Sequence, residues 1–184
     1  MARISMRVLA LVFLGLFCLG LVSPASARQW KPSATALAQD YLTILHNRSQ
    51  YEVIMLMWIA PPMVQGSADI RSALDDYILM AVAHAHLSAS GVISYEAINA
   101  LKAVDADGRP LTLLTGDSIP PVVAGILAGE ESLFRRSLGP MGRGVQWFVF
   151  HAGNVHACTR GGLYVPYAGE TYSYMTPIPG CPGA

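Results

Sequence analysis

The stretch Val145-Gln-Trp-Phe-Val-Phe-His-Ala-Gly-Asn154-Val-His-Ala-Cys-Thr-Arg-Gly-Gly162-Leu-Tyr-Val-Pro-Tyr-Ala168-Gly-Glu-Thr-Tyr-Ser-Tyr-Met-Thr176 decides the fold class. Val145 to His151 is apolar on both faces, as a central strand would be. Gly153-Asn154 is a tight turn and Val155 to Cys158 returns. Gly161-Gly162 turns again, Leu163 to Tyr167 runs out, Ala168-Gly-Glu170 turns, and Thr171 to Thr176 comes back. Aromatic and β-branched runs bounded by Gly and Asn are strand and turn signals. The expectation is a four-stranded antiparallel meander.

Upstream of it the chain reads helical. Ser33 caps a predicted helix whose apolar positions Ala34, Leu37, Ala38, Tyr41 and Leu45 follow a 3.6-residue period. Ser49 and Glu52 have capping-box spacing, which predicts a helix from Gln50 to Ala60. That run is apolar all round, so it belongs in the centre. A buried strand fits the same residues, because periodicity does not separate the two there. Pro61-Pro62 ends it in either case. Ser67 caps a predicted helix from Ala68 to about Ser88 with a stripe of Ile70, Leu74, Tyr77, Ile78, Ala81 and Ala85, and with Arg71 and Asp75 as an i,i+4 pair. A helix turn is expected from Ser94. Asp107-Gly108, between Leu101–Asp105 and Leu111–Leu114, is a hairpin signal. Ser118 with Pro120-Pro121 opens a last helical stretch, whole or divided into two pieces by the weakening Gly125 and Gly129, that Gly139-Pro140 ends. Helices first and strands last give an α+β fold: N-terminal helices packed on one face of a mainly C-terminal antiparallel sheet.

The N terminus carries a different message. Arg3 and Arg7 precede an uncharged, mostly apolar run from Val8 to Val22, followed by Ser23-Pro24-Ala25-Ser26-Ala27. Ala25 and Ala27 are the small residues a signal peptidase needs, so cleavage is expected after Ala27. Residues 28–184 then form one globular domain in the periplasm or outside the cell. The apolar run is about 15 residues, short of the ~20 a spanning helix needs, and the mature chain is expected to contain no transmembrane helix. Cys158 and Cys181 are the two cysteines left after cleavage, which predicts a disulfide.

Removing Arg3 and Arg7 from 12 Lys/Arg leaves ten against 12 Asp/Glu. With no basic patch, nucleic acid is a poor partner. Only 13% of residues are charged, well below the usual ~25%. A surface that poor in charge favours contact with a partner.

Three groups of side chains are candidates for chemistry. With Gly153-Asn154 as the turn, His151 faces His156, with Cβ atoms about 5 Å apart, within reach of one zinc or copper ion. Cys158 lies on the same face as His156, and Glu170 is a candidate third ligand. Tyr164, Tyr172 and Tyr174 are candidate ligand-binding residues, since a tyrosine face stacks sugars or peptides and its hydroxyl bonds them; the same rings also stabilise sheets by packing. His84 and His86, two apart on a helix, would be rotated by about 200° and point to opposite sides, which argues against them as a pair and for His84 as a core or edge histidine.

The expected function is therefore an exported, non-enzymatic binding or interaction module with no cofactor, serving an envelope protein or a small ligand. One alternative is a metal-dependent or acid/base hydrolase of the cell envelope using His151 and His156. Another is a subunit held at the membrane by an uncleaved leader.

Overall fold

The computed structural model describes residues 27–29, 42–47, 50–64, 66–178 and 181, with side chains described from Tyr51 onward. The leader residues 1–26 and the predicted helical positions 33–41 lie outside the described residues. The chain is a mixture of antiparallel sheets and a few helices.

The strands are β1 (Ala27–Gln29), β2 (Leu42–Asn47), β3 (Gln50–Ile59), β4 (Tyr77–Ser88), β5 (Ile93–Tyr95), β6 (Val104–Asp105), β7 (Leu113–Leu114), β8 (Gln146–His151), β9 (Gly161–Tyr167) and β10 (Glu170–Thr176). The helices are α1 (Ala68–Ser72) and α2 (Pro121–Ser137). A six-stranded sheet runs β2-β3-β4-β8-β7, with β5 also paired to β4. A smaller sheet runs β1-β10-β9-β6, in which β1 is parallel to β10.

Several expectations are corrected here. Gln50 to Ala60 is not a helix: it is β3, the strand alternative that its all-round apolarity left open. Ser67 caps only one short turn, accepting a bond from the Ile70 backbone, and α1 stops at Ser72. Arg71 and Asp75 form no pair; the Arg71 guanidinium donates to the Gly66 carbonyl at 2.6 Å. The predicted helical run to Ser88 is instead β4, buried without interruption from Ile78 to Ala85. A central strand covered on both faces shows no alternation, and an apolar stretch without alternation passes for a helix stripe. Leu45, placed on a helix by its spacing, lies in β2, and the turn expected from Ser94 is strand β5.

The meander is only partly formed. The β9–β10 hairpin is in place, with Tyr172 opposite Val165 and Tyr174 opposite Leu163. Its two-residue turn has Ala168 at φ 49° and Gly169 at φ 80°, the left-handed pair that suits the twist of two strands. Val155 to Cys158 is not a strand, and β8 belongs to the larger sheet between β4 and β7. The Asp107-Gly108 turn is present, closed by Asp105 and Arg109, but its arms β6 and β7 go to different sheets.

The pleat of the large sheet sorts its side chains into two cores. Ile54, Leu56 and Trp58 of β3, and Ile78, Met80 and Val82 of β4, meet Leu163, Val165, Tyr172 and Tyr174 of the small sheet. Trp58 and Tyr174 join the two sheets edge to face, with centroids 6.1 Å apart. Leu79, Ala81 and Val149, on the opposite face, meet Val123 and the partly buried Ile126, Leu127 and Phe134 of α2. The spacing of those α2 residues is a helical stripe, and the helix runs unbroken through Gly125 and Gly129. The architecture is thus small sheet, large sheet, helix. Each fully buried Leu, Ile or Phe stabilises it by about 1.5–3 kcal/mol.

Candidate metal centre at the end of the sheet sandwich

The strand assignment of β4 changes the geometry of its histidines. In a strand, residues i and i+2 point to the same face. His84 and His86 continue the row Ile78, Met80, Val82 toward the small sheet, and their rings lie 4.9 Å apart, tilted by 32°. The helical argument that set them on opposite sides is overturned.

Three other segments deliver partners to this row. In the β3–β4 ladder Glu52 stands opposite His86 and Ile54 opposite His84, so Glu52 reaches His84 diagonally, within range of a long side chain. Glu52 Oε1 lies 2.5 Å from His84 Nε2. Tyr167, the last residue of β9, comes from the other sheet and places its hydroxyl 2.9 Å from His84 Nδ1. Glu96 follows β5; its backbone N–H donates to the His84 carbonyl at 2.9 Å. One oxygen of its carboxylate, Oε2, is 3.3 Å from His84 Nδ1 and 3.3 Å from His86 Nε2.

Side-chain exposure rises outward: 5% for His84, 27% for Glu52, 32% for His86 and 52% for Glu96. The group is rooted in the inter-sheet core and open at its rim. Among the described residues no Lys or Arg lies within ion-pair distance of Glu52 or Glu96. Two carboxylates thus converge on two imidazoles without a permanent cation. Burial, then the charges of Glu96, Tyr172 and Glu52, push the Tyr167 phenol up to about 12. It therefore stays protonated at neutral pH, and its hydroxyl can donate to or accept from Nδ1 according to the imidazole's tautomer.

Such a donor set matches a metal site. Glu52, His84 and His86 each offer one ligand atom, and these lie within 4.8 Å of one another. Ligands at ~2.0–2.1 Å around a tetrahedral ion are about 3.3 Å apart. Side-chain rotation would have to bring the trio to that spacing, with an ion replacing the His84–Glu52 hydrogen bond. Imidazole nitrogen with carboxylate oxygen suits zinc, copper, nickel and iron.

The residues singled out from sequence lie elsewhere. His151 is exposed at the end of β8, paired with Tyr77 and 6.0 Å from its ring. His156 is in the loop before β9, so the cross-strand pairing that would oppose the two is not formed. His156 lines an open groove of about 700 Å³ with Pro61, Pro62, Arg71, Asp75 and Cys158. Glu170 opens β10 opposite Tyr167. Tyr172 and Tyr174 are buried between the sheets. Tyr164 is on the other side of the pleat, its hydroxyl 3.6 Å from Met175 Sδ. The three tyrosines therefore share no open face. Cys158 and Cys181 stand at bonding distance, compatible with a disulfide. Among the described residues no helix is long and apolar enough to cross a membrane.

Sequence reasoning missed Glu52, Glu96 and Tyr167 as site residues. The signal that would have found the histidines is Ala83-His-Ala-His-Leu87, a strict alternation at the end of a twelve-residue run without a charge. No family model, curated protein or solved structure matches this chain.

Proposed function

We propose that the chain is an exported, non-enzymatic binding module whose ligand is a divalent transition-metal ion held by Glu52, His84 and His86. The observation that carries this is the convergence of those three side chains from two paired strands at the rim of a packed core. Rigid strands hold ligands better than loops do. Tyr167 fits the role of outer-shell partner: its hydroxyl fixes the His84 ring, as the second hydrogen bond of a ligating histidine normally does. When an ion takes Nε2 of His84, Nδ1 carries the imidazole proton and donates to the phenol oxygen.

Binding is a better match than hydrolysis. A nucleophile has to be activated toward its ionised form, and the phenol that meets the histidine is pushed the opposite way, up to about 12. Export rests on the leader pattern of residues 3–27 and on the Cys158–Cys181 pair, which suits an oxidising compartment.

The test is isothermal titration of the purified, chelator-stripped chain with zinc chloride. One zinc per chain is expected, with copper and nickel competing and calcium and magnesium failing to do so. A His84→Ala, His86→Ala double variant that stays folded by circular dichroism should lose about a hundredfold or more in affinity. No binding by the parent chain, or unchanged binding in the double variant, would overturn the reading.

A further inference from the structure

We infer that Glu96 is a fourth ligand of this ion, on a segment that the start of β8 and the connection before it hold in position; this rests on the metal reading above. Two independent sets of observations lead there.

The first is spacing. The 3.3 Å between Glu96 Oε2 and His86 Nε2 is already the edge of a tetrahedron whose ligands lie ~2.0–2.1 Å from the ion. Those two atoms need no closure to share a metal, while the same oxygen, 3.3 Å from His84 Nδ1, has to turn toward the Nε2 side of that ring to join Glu52. Glu96 also supplies a second negative charge, so a divalent ion with two neutral imidazoles and two carboxylates is electrically balanced.

The second is how the segment is held. Residues 96–100 belong to no helix or strand, and such a stretch carrying a half-exposed carboxylate would ordinarily be loose. Here the Glu96 N–H bonds the His84 carbonyl. The Gln146 amide donates to the Glu96 carbonyl at 2.7 Å and accepts from the Ile98 N–H at 2.8 Å, a two-point clamp on the backbone. One residue earlier, the Tyr95 hydroxyl donates to the Pro140 carbonyl at 2.6 Å, and its ring lies over Gly144 where a Cβ has no room. The backbone is fixed on both sides of Glu96, and its half-exposed side chain meets both histidines at the rim. That combination makes Glu96 both the outermost ligand and the first to meet an incoming ion.

The experiment is zinc titration of the full chain beside Glu96→Gln and Gln146→Ala, with the visible spectrum of the cobalt(II)-loaded forms. Glu96→Gln keeps the shape and removes the charge; its zinc affinity should fall about tenfold or more, and its cobalt band should change in position and intensity as a ligand changes. Gln146→Ala loosens the clamp without touching the ion; about a tenfold loss is expected, with the cobalt spectrum of the saturated protein unchanged. If the parent binds zinc and Glu96→Gln binds equally well with the same cobalt spectrum, Glu96 is not a ligand and the three-ligand reading stands without it. If the parent binds neither zinc nor cobalt, both readings fall.

Discussion

Replacing Gly144 by alanine should destabilise the protein through a single ring. A Cβ on Gly144 would lie 1.9 Å from Tyr95 Cδ1, 2.2 Å from Cε1 and 2.5 Å from Cγ. Carbon atoms normally meet at about 3.5–4.0 Å, so the ring must retreat by about 1.5 Å. Rotation alone does not free it, because Cγ is the first atom beyond the Tyr95 Cβ; strand β5 has to move with it. Overpacking of this kind costs about 1–3 kcal/mol. The displaced hydroxyl also gives up its bond to Pro140, worth about 1 kcal/mol. Alanine recovers about 0.4–1 kcal/mol by restricting the unfolded chain. The net loss is about 2 kcal/mol, or about 4–8 °C in Tm for a chain of this size. A melt followed by circular dichroism reads it, within a cycle that includes Tyr95→Ala. Once the ring is gone, Gly144→Ala should cost nothing further. A Tm within about 1 °C of the parent, or a full loss that persists beside Tyr95→Ala, would refute the clash.

Two other predictions follow from the same structure. The phenol of Tyr167 should titrate near 12 rather than near the usual value of about 10, contributing a late tyrosinate step in the ultraviolet; since the folded value is raised, the stability it contributes is complete below about pH 10 and is lost as pH climbs through 12. A spectrum in which every tyrosine has ionised by pH 11 would contradict it. Reducing the bond between Cys158 and Cys181, 23 residues apart in sequence, should lower the unfolding free energy by about 3 kcal/mol; equal denaturant midpoints with and without reductant would show that the bridge is not formed.

The candidate site was hidden by one error of phase. On a helix, two residues of separation send side chains apart; on a strand, the same separation brings them together. Tyr77 to Ser88 carries Ile, Leu, Met and Ala without a polar face, so neither period stands out. Glu52 was masked in the same way, since three residues after Ser49 it reads as a capping partner while in β3 it faces the small sheet's side of the ladder. Glu96 and Tyr167 carry no local mark at all. They are brought to His84 by the β5 register and by the stacking of two sheets, contacts made over 12 and 83 residues of chain.

The chain by itself determined what is local. The turn at Asp107-Gly108, the β9–β10 hairpin around Ala168-Gly169, helix α2 after its prolines, and the approach of Cys158 to Cys181 all depend on residues near each other or on simple counting. Tertiary structure decided whether the apolar runs of β3 and β4 became strands or helices, and so which side chains met. Burial rewards both conformations equally when an element is covered on every side. Only the presence of a second sheet on one face and α2 on the other selects the extended form, and with it the row on which two histidines and a glutamate converge.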